Sequence, residues 1–297
     1  MAAVSATTRR GFLAWARQSI AVQNFVRRGI TYIILTFAAV LFLTPLFWMI
    51  STSFKTPEKI FLFPPQLVPD PFTLRGYERV LSSPSFPFFL YLRNSLFYAV
   101  LSVIGIVLSC SLVGYSFACL RWPGRDAIFI VTLATMMIPF PVVMVPLYIV
   151  FKFLGVLNTY WPLIGPNFLG TAFFIFLMRQ FFKTIPLDLT EAARVDGASY
   201  GAIYARIMMP LARPVVATTA LFTFLYCWND FLGPLIFLSD DKKYPLALGL
   251  ALLRGQHRSE WDMMMAGSTI VSLPIIVLFF FTQKTFIQGI TLTGIKG

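Results

Sequence analysis

A run of eight residues in the second half of the chain has the clearest pattern of side chains suited to binding another protein. It reads Glu191-Ala192-Ala193-Arg194-Val195-Asp196-Gly197-Ala198. Glu191 and Asp196 offer carboxylates to basic groups, and the alanines let a partner approach closely. Gly197 fits the left-handed cap that ends many helices. The run is therefore a candidate docking surface, although its composition alone also fits an ordinary amphipathic loop helix.

A second candidate site surrounds Asp230, which lies in an otherwise apolar stretch. A carboxylate near the centre of a bilayer costs roughly 2.5–3.5 kcal/mol on insertion scales and usually has a function. Its neighbours Trp228 and Asn229 add a stacking surface and an amide, which suit contact with a polyol. Asn94 and Tyr226 are further candidates for lining a translocation path. For Asp230 the alternative is a hydrogen bond between two helices.

The elements that position these residues are membrane-spanning helices. Of the 297 residues, 58% are apolar and 12% are charged, whereas a soluble domain has about 25% charge. Six stretches can cross about 30 Å of hydrocarbon, and in lipid each must be helical. They are approximately Ile30–Ile50, Asn94–Leu120, Ala127–Phe151, Trp161–Met178, Pro214–Leu238 and Met264–Gln283. We therefore predict an all-α polytopic membrane protein with six transmembrane helices.

Basic residues predict the orientation of these spans. The tail of residues 1–29 contains five Arg and no acidic residue, so the positive-inside rule places it in the cytoplasm. Six spans then return the tail of residues 287–297 to the same side, together with the loop of about residues 179–213. Residues 30–286 form the transmembrane domain. Within the first tail, Phe12–Val26 has the pattern of an interfacial helix lying on membrane lipid.

Proline and glycine mark breaks in the helices. Span 3 contains Pro139 and Pro141, each of which removes a backbone donor, so we predict a break there. The break would either line the pathway or serve as a packing bend. In the loop, Asp188 is the predicted N-cap of a helix Leu189–Val195. A second amphipathic helix, about Ser199–Met209, is predicted to lead into span 5.

Several other chemistries lack the residues that they need. The chain has one histidine, His257, and its three cysteines lie in apolar stretches without a Cys-x-x-Cys pair, so we predict neither a metal site nor a disulfide framework. No Gly-x-x-x-x-Gly-Lys-Ser/Thr motif is present, so we do not expect this chain to hydrolyse ATP. The net charge of +12 comes from residues that flank apolar runs, and no nucleic-acid partner is predicted.

Further motifs occur in a specific order on either side of the Glu-Ala-Ala run. They are Asn94-Ser95, Tyr115-Ser116-Phe117-Ala118, Arg121-Trp122-Pro123-Gly124-Arg125, Ile207-Met208-Met209-Pro210-Leu211, Phe224-Leu225-Tyr226-Cys227-Trp228-Asn229-Asp230-Phe231 and Gly289-Ile290-Thr291-Leu292-Thr293-Gly294-Ile295-Lys296-Gly297. From about Ile30 to Gly297, the chain resembles the permeases of binding-protein-dependent carbohydrate ABC importers. The resemblance is to the MalG-type subunit of the maltose and multiple-sugar importer family.

The resemblance implies the type I ABC importer permease fold, in which the loop forms a coupling helix seated in a cleft of a separate ATP-binding subunit. Glu191 would pair with a basic residue there, and Gly197 would form the turn. The remaining coupling residues would be Ala192, Ala193, Asp196 and Ala198. Residues 294–297 would reach toward the ATP-binding subunits.

The same resemblance implies the partners and the location. The expected partners are a second permease subunit, two ATP-binding subunits that hold ATP and Mg²⁺, and an extracytoplasmic solute-binding protein. This chain itself has no predicted cofactor and is not predicted to be an enzyme. The expected location is the plasma (inner) membrane of a bacterium or archaeon, with both termini in the cytoplasm.

The predicted function is thus import of a sugar or related polyol, with two alternatives. An ion-coupled secondary transporter would work alone, but the isolated Asp230 is thin support for an ion site. A permease for a phosphorylated polyol such as glycerol phosphate would need cations from a partner, because the predicted spans contain no Lys or Arg.

Overall fold

A computed structural model describes the backbone of residues 3–253 and 260–294, and the side chains of residues 23, 25–253 and 260–282. Within these ranges the chain is helical and contains no strand. The α-helices are α1 (Ala3–Ser53), α2 (Arg75–Ser82), α3 (Phe88–Cys119), α4 (Arg125–Ala134), α5 (Phe140–Phe153), α6 (Trp161–Ile164), α7 (Ala172–Phe182), α8 (Leu187–Val195), α9 (Tyr200–Ile203), α10 (Met209–Leu211), α11 (Arg213–Asn229), α12 (Leu232–Phe237), α13 (Leu246–Leu253) and α14 (Trp261–Gly294). Shorter turns are the 3₁₀ segments Pro57–Lys59, Thr135–Met137, Gly165–Leu169 and Asp241–Lys243, and the π-helical segment Tyr204–Met208. His257 lies outside the described residues.

The described part of the chain has four helical segments that are long and apolar enough to cross a membrane, or six if each of two bent pairs is one span. The four are Phe25–Ser53, Phe88–Cys119, Trp161–Phe182 and Trp261–Thr282. The bent pairs are Arg125–Met137 with Phe140–Phe153, at 99°, and Tyr200–Leu211 with Arg213–Asn229, at 78°. All six predicted stretches thus coincide with apolar helical segments. The 99° bend lies within span 3, whereas the 78° bend lies just before span 5.

The predicted break in span 3 is confirmed at Pro139. The preceding residue, Ile138, is extended with φ −85° and ψ 111°, the conformation that a following proline favours. α5 then starts at Phe140, and its direction differs by 99° from that of the segment ending at Met137. Proline chemistry alone accounts for the position of this bend.

Span 5 is not the continuous helix Pro214–Leu238 that the sequence predicts. α11 ends at Asn229, Asp230 is extended with φ −69° and ψ 113°, and α12 follows. In an unbroken helix the ring of Pro234 would clash with the carbonyl of Asp230, four residues earlier, so the helix opens there. The other end agrees with the sequence, because Pro214 lies in the first turn of α11.

α1 runs without a break for 51 residues, so its backbone does not separate the predicted tail from the first span. Its most apolar stretch contains no buried residue, and its main contact is with α14. Of the predicted interfacial helix Phe12–Val26, only the side chains of Gln23, Phe25 and Val26 are described, and all three are exposed. A span exposed in this way offers its surface to lipid or to another subunit.

α3 is the central helix and packs most extensively against α7 and α11. Two glycines allow close packing along it. A Cβ on Gly114 would lie 2.7 Å from Cβ of Met178 and 3.1 Å from the backbone nitrogen of Arg179, both on α7. A Cβ on Gly105 would lie 2.8 Å from the ring of Phe168. Small residues at such crossings let helix backbones approach closely in a membrane.

An ion pair holds α2 to the start of α14. Nη1 of Arg79 lies 3.2 Å from Oδ2 of Asp262, and its Nη2 contacts Glu260. Burial lowers the pKa of Arg79, but the two carboxylates more than offset this and the pKa is raised. Asp262 is 1% exposed, and a charge buried this deeply needs its partner.

The close crossing of α3 and α7 predicts the effect of Gly114→Ala. The new methyl group would collide with Met178 and with backbone of α7, so we expect a loss of about 1–3 kcal/mol of stability. Gly201→Ala in α9 is the matched control, because nothing lies within 4 Å of its Cβ position and alanine favours helices. Thermal unfolding of the purified variants checks this, and equal stability of Gly114→Ala and the wild type would contradict the packing.

Candidate docking hairpin and polar cluster at Asp230

The predicted loop folds as a helical hairpin of residues 187–211, which we call the loop hairpin. α8 forms its first arm and ends at Val195, and Gly197, two residues later, has a φ of +85°. The N–H of Gly197 donates to the carbonyl of Arg194 at 3.0 Å, and the N–H of Ala198 donates to that of Ala193 at 2.9 Å. These two bonds define a Schellman motif. The predicted left-handed cap at Gly197 is therefore confirmed.

The first arm starts two residues earlier than the sequence predicts, and Asp188 is not its N-cap. α8 starts at Leu187 directly after Pro186, and the start has no side-chain cap. The φ of Pro186, −56°, already suits entry into a helix. Asp188 lies in the first turn instead, where a negative charge interacts favourably with the helix dipole. In the second arm, Oγ of Ser199 accepts a hydrogen bond from the N–H of Ala202 at 3.2 Å.

The loop hairpin has one exposed face and one buried face. Four of the six predicted coupling residues are exposed, namely Glu191, Ala192, Asp196 and Gly197. The other two, Ala193 and Ala198, are half-buried and pack against an apolar cluster between the hairpin, α3 and α7. Ile203 and Met208 are buried in that cluster. Ala193 and Ala198 thus pack the hairpin against the helix bundle.

Part of the exposed face is apolar, which the sequence analysis missed. The large exposed apolar side chains of α8 and the start of α9 are Leu187, Leu189, Val195 and Tyr200. Val195 is 89% exposed, and the guanidinium of Arg194 lies 4.0 Å from the ring centre of Tyr200. An apolar patch rimmed by charged groups is typical of a protein-binding surface. The available signal was the presence of Val195 between two charged residues at the end of a polar helix.

The carboxylate of Asp230 is bound within this subunit. Its Oδ2 accepts a hydrogen bond from the hydroxyl of Tyr98 on α3 at 2.8 Å. Its Oδ1 accepts one from the N–H of Gly233 at 3.0 Å, at the start of α12. A Cβ on Gly233 would lie 2.6 Å from Oδ2 of Asp230, so only glycine fits there. These contacts favour the alternative role of Asp230, a hydrogen bond between helices.

The other four predicted path residues divide into two groups. Trp228 is 1% exposed and donates its indole N–H to the carbonyl of Val271, so it offers no stacking surface here. Asn94 is also buried, and its amide donates to two carbonyls of the segment that precedes α13. Asn229 and Tyr226 are exposed and available to a solute or a second subunit. The structure therefore does not bring the five residues together on one surface.

A row of polar side chains along α3 was also missed. Asn167 donates to Oγ of Ser102 at 2.9 Å, and the carbonyl of Asn167 accepts from Ser109 at 3.0 Å. Oγ of Ser95 accepts from the N–H of Leu246 at 2.8 Å. The sequence could have indicated this row, because polar residues recur every three or four positions within this apolar run and so share one face of the helix.

The cysteines and other ligand types form no metal site among the described residues. No three His, Cys, Asp or Glu side chains lie close enough to hold an ion in this part of the chain. Cys110 and Cys227 are buried, Cys119 is half-buried, and all three are free thiols. Sγ of Cys110 also accepts a hydrogen bond from the N–H of Thr171 at 3.4 Å.

Apolar helices with breaks inside the membrane, together with a rigid hairpin exposed at one end, define a multi-pass membrane permease. Residues 103–291 match the family described as binding-protein-dependent transport system inner membrane component. The chain belongs to this family, and the resemblance inferred from its motifs is confirmed.

Named relatives cover nearly all of the chain. It is 33% identical over 263 residues to the arabinooligosaccharides transport system permease protein AraQ of Halalkalibacterium halodurans, covering 88% of this chain and 94% of that protein. It is 35% identical to the trehalose/maltose transport system permease protein MalG of Thermococcus litoralis, covering 87% and 93%.

Solved structures share the fold. A chain of a bacterial ABC transporter involved in the import of the acidic polysaccharide alginate superposes with a TM-score of 0.76 at 25% identity, covering 86% of this chain and 94% of that one. A chain of the alginate transporter in complex with a periplasmic protein bound to alginate pentasaccharide has a TM-score of 0.62 at 16% identity, covering 87% and 94%. The predicted ABC importer permease fold is therefore confirmed.

The bond between Tyr98 and Asp230 predicts the effect of Tyr98→Phe. A hydrogen bond to a charged group contributes about 1.5–3 kcal/mol, so this variant should be less stable by that amount. Tyr226→Phe is the control, because Tyr226 is 66% exposed and should tolerate loss of its hydroxyl. Thermal unfolding of the purified variants measures both, and an unchanged Tyr98→Phe would contradict the structural role of Asp230.

Proposed function

We propose that this protein is the transmembrane permease subunit of an ATP-driven importer for a sugar or a related polyol. The loop hairpin carries the proposal, because it is packed on the bundle through its inner face and exposed on its outer face. The names of the relatives support a carbohydrate solute, since those proteins transport arabinooligosaccharides and trehalose or maltose.

The energy for transport would come from a separate ATP-binding subunit, because this sequence has no phosphate-binding loop. Glu191 would pair with a basic residue of that subunit, and Val195 and Leu189 would fill an apolar socket. Closure of two ATP-binding subunits on ATP would displace the loop hairpin. Backbone hydrogen bonds within the hairpin help it to keep its shape as it moves. The spans would then move between inward- and outward-facing states.

A neutral, hydroxyl-rich solute fits the spans best. Asp230 is the one charged residue in the predicted spans, and both of its oxygens already accept hydrogen bonds from this chain. A neutral sugar needs no opposite charge, whereas an ion-coupled mechanism needs a site that can exchange an ion. The internal bonding of Asp230 thus argues against the secondary-transporter alternative.

The remaining partners would be a second permease subunit and an extracytoplasmic solute-binding protein. One face of α3 carries exposed apolar side chains along most of its length, which suits packing against a second permease. They are Phe89, Leu96, Val100, Ile104, Leu108 and Leu112. Support for the binding protein comes from the family description and from the related alginate transporter, which was solved with its periplasmic protein.

The proposal predicts that Glu191→Lys inserts normally but does not transport. The new positive charge would face a basic residue of the ATP-binding subunit, and like charges at an interface cost several kcal/mol. Uptake of labelled maltose, trehalose or arabinotriose by vesicles containing the complete transporter should fall at least about tenfold. Co-purification of the ATP-binding subunit should fall in parallel.

Glu78→Lys is the matched control, because Glu78 is exposed on α2, remote in sequence from the loop hairpin. It should retain the ATP-binding subunit at the wild-type level. Normal uptake and normal co-purification by Glu191→Lys would refute the proposed coupling role of the loop.

A further inference from the structure

The second arm of the loop hairpin contains a π-helical turn instead of the continuous α-helix Ser199–Met209 that the sequence predicts. The turn spans Tyr204–Met208, and the N–H of Met209 donates to the carbonyl of Tyr204, five residues earlier. Pro210 explains it, because in a regular helix the proline ring would clash with the carbonyl of Arg206. Such turns occur frequently at functional sites.

The turn begins at Tyr204, whose hydroxyl reaches into the bundle. Its oxygen lies 2.7 Å from Oγ of Ser111 on α3. Ser111 is fully buried, and its hydroxyl also contacts the carbonyl of Val107. Both hydroxyls are satisfied when Ser111 donates to Val107 and accepts from Tyr204. Ser111 lies eight residues before the end of α3 at Cys119, which is about 12 Å along the helix. The contact is therefore well inside the bundle.

A second polar contact lies one helical turn further along the same face of α3. The hydroxyl of Tyr115 donates to the backbone carbonyl of Tyr200 at 3.3 Å. The rings of Tyr115 and Tyr204 also contact, with centres 5.4 Å apart. The other anchors of the hairpin, which include Ile203 and Met208, are apolar. The two hydrogen bonds add directional contacts between the hairpin and α3 to this packing.

We propose that Tyr204 is a positioning residue for coupling, whose hydrogen bond to Ser111 makes the loop hairpin and α3 move as one body. This inference rests on the proposed function, because it assumes that a nucleotide-driven partner displaces the hairpin. α3 packs most extensively on α7 and α11. A displacement of the hairpin would therefore reach both neighbouring spans through α3.

The test uses the complete transporter in lipid nanodiscs, with spin labels at Gly201→Cys on the second arm of the hairpin and Arg93→Cys near the far end of α3. Both positions are exposed, and nothing lies within 4 Å of the Cβ position of Gly201. In the otherwise wild-type chain, the distance between the labels should stay the same when Mg²⁺ and a non-hydrolysable ATP analogue are added. With Tyr204→Phe, which keeps the ring but loses the donor, the nucleotide should shift or split the distance distribution.

Ser111→Ala should behave like Tyr204→Phe, and the double variant should show no further change, because both remove the same bond. Tyr148→Phe is the matched control, since it also removes a tyrosine hydroxyl, and the Tyr148 side chain is exposed on α5. It should match the wild type. Thermal stability of the Tyr204→Phe complex should stay near the wild-type value, which separates lost coupling from lost folding.

Two results would overturn the inference. One is a nucleotide-dependent change of the distance in the otherwise wild-type chain, and the other is a Tyr204→Phe distribution that does not respond to nucleotide. Failure of the proposed function would look different. In that case a fluorophore at Gly201→Cys would not respond to the nucleotide in any variant, because no ATP-binding subunit would act on the hairpin.

Discussion

A helix can be interrupted inside a membrane only where other groups satisfy the backbone donors and acceptors that the break leaves free. In this protein α3 supplies such groups at successive depths. Ser95 binds the start of α13, Tyr98 holds the carboxylate at the break between α11 and α12, Ser102 and Ser109 bind Asn167, and Ser111 and Tyr115 bind the loop hairpin. One continuous helix therefore stabilises the irregular elements around it.

This arrangement connects the two ends of the bundle. At one end α3 carries the loop hairpin, whose outer face is exposed and partly apolar. Toward the other end the same helix holds Asp230 and the segment before α13. The close crossings at Gly105 and Gly114 leave little room for α3 to slide against its neighbours. A helix that is tightly packed and hydrogen-bonded along its length can transmit a displacement from the hairpin to the region of Asp230.

The sequence predicts most of the helices, because apolar length and proline position are local properties. The break at Pro139 and the cap at Gly197 follow from backbone chemistry that one or two residues determine. Such reasoning failed at Asp188, the predicted N-cap. The helix begins directly after Pro186, so Asp188 lies in its first turn instead. The break at Asp230 had a local signal in Pro234, but the apolar character of the whole stretch favoured one helix.

The orientation of the side chains around Asp230 could not be predicted from the sequence. Successive residues on a helix point about 100° apart, so Trp228 and Asn229 face different surroundings, and only packing decides which one is buried. The bond between Tyr204 and Ser111 joins positions 93 residues apart and depends on a π-helical turn. Neither feature follows from residue spacing along the chain.

The central claim is that the loop hairpin is the docking surface of a separate ATP-binding subunit on the cytoplasmic side. The most direct measurement is labelling of Ala192→Cys with a membrane-impermeant maleimide, in vesicles of each orientation and with or without the ATP-binding subunit. We predict that Ala192→Cys is labelled only from the cytoplasmic side, and that the bound ATP-binding subunit protects it from the maleimide. Labelling from the opposite side, or equal labelling with the subunit present, would contradict it.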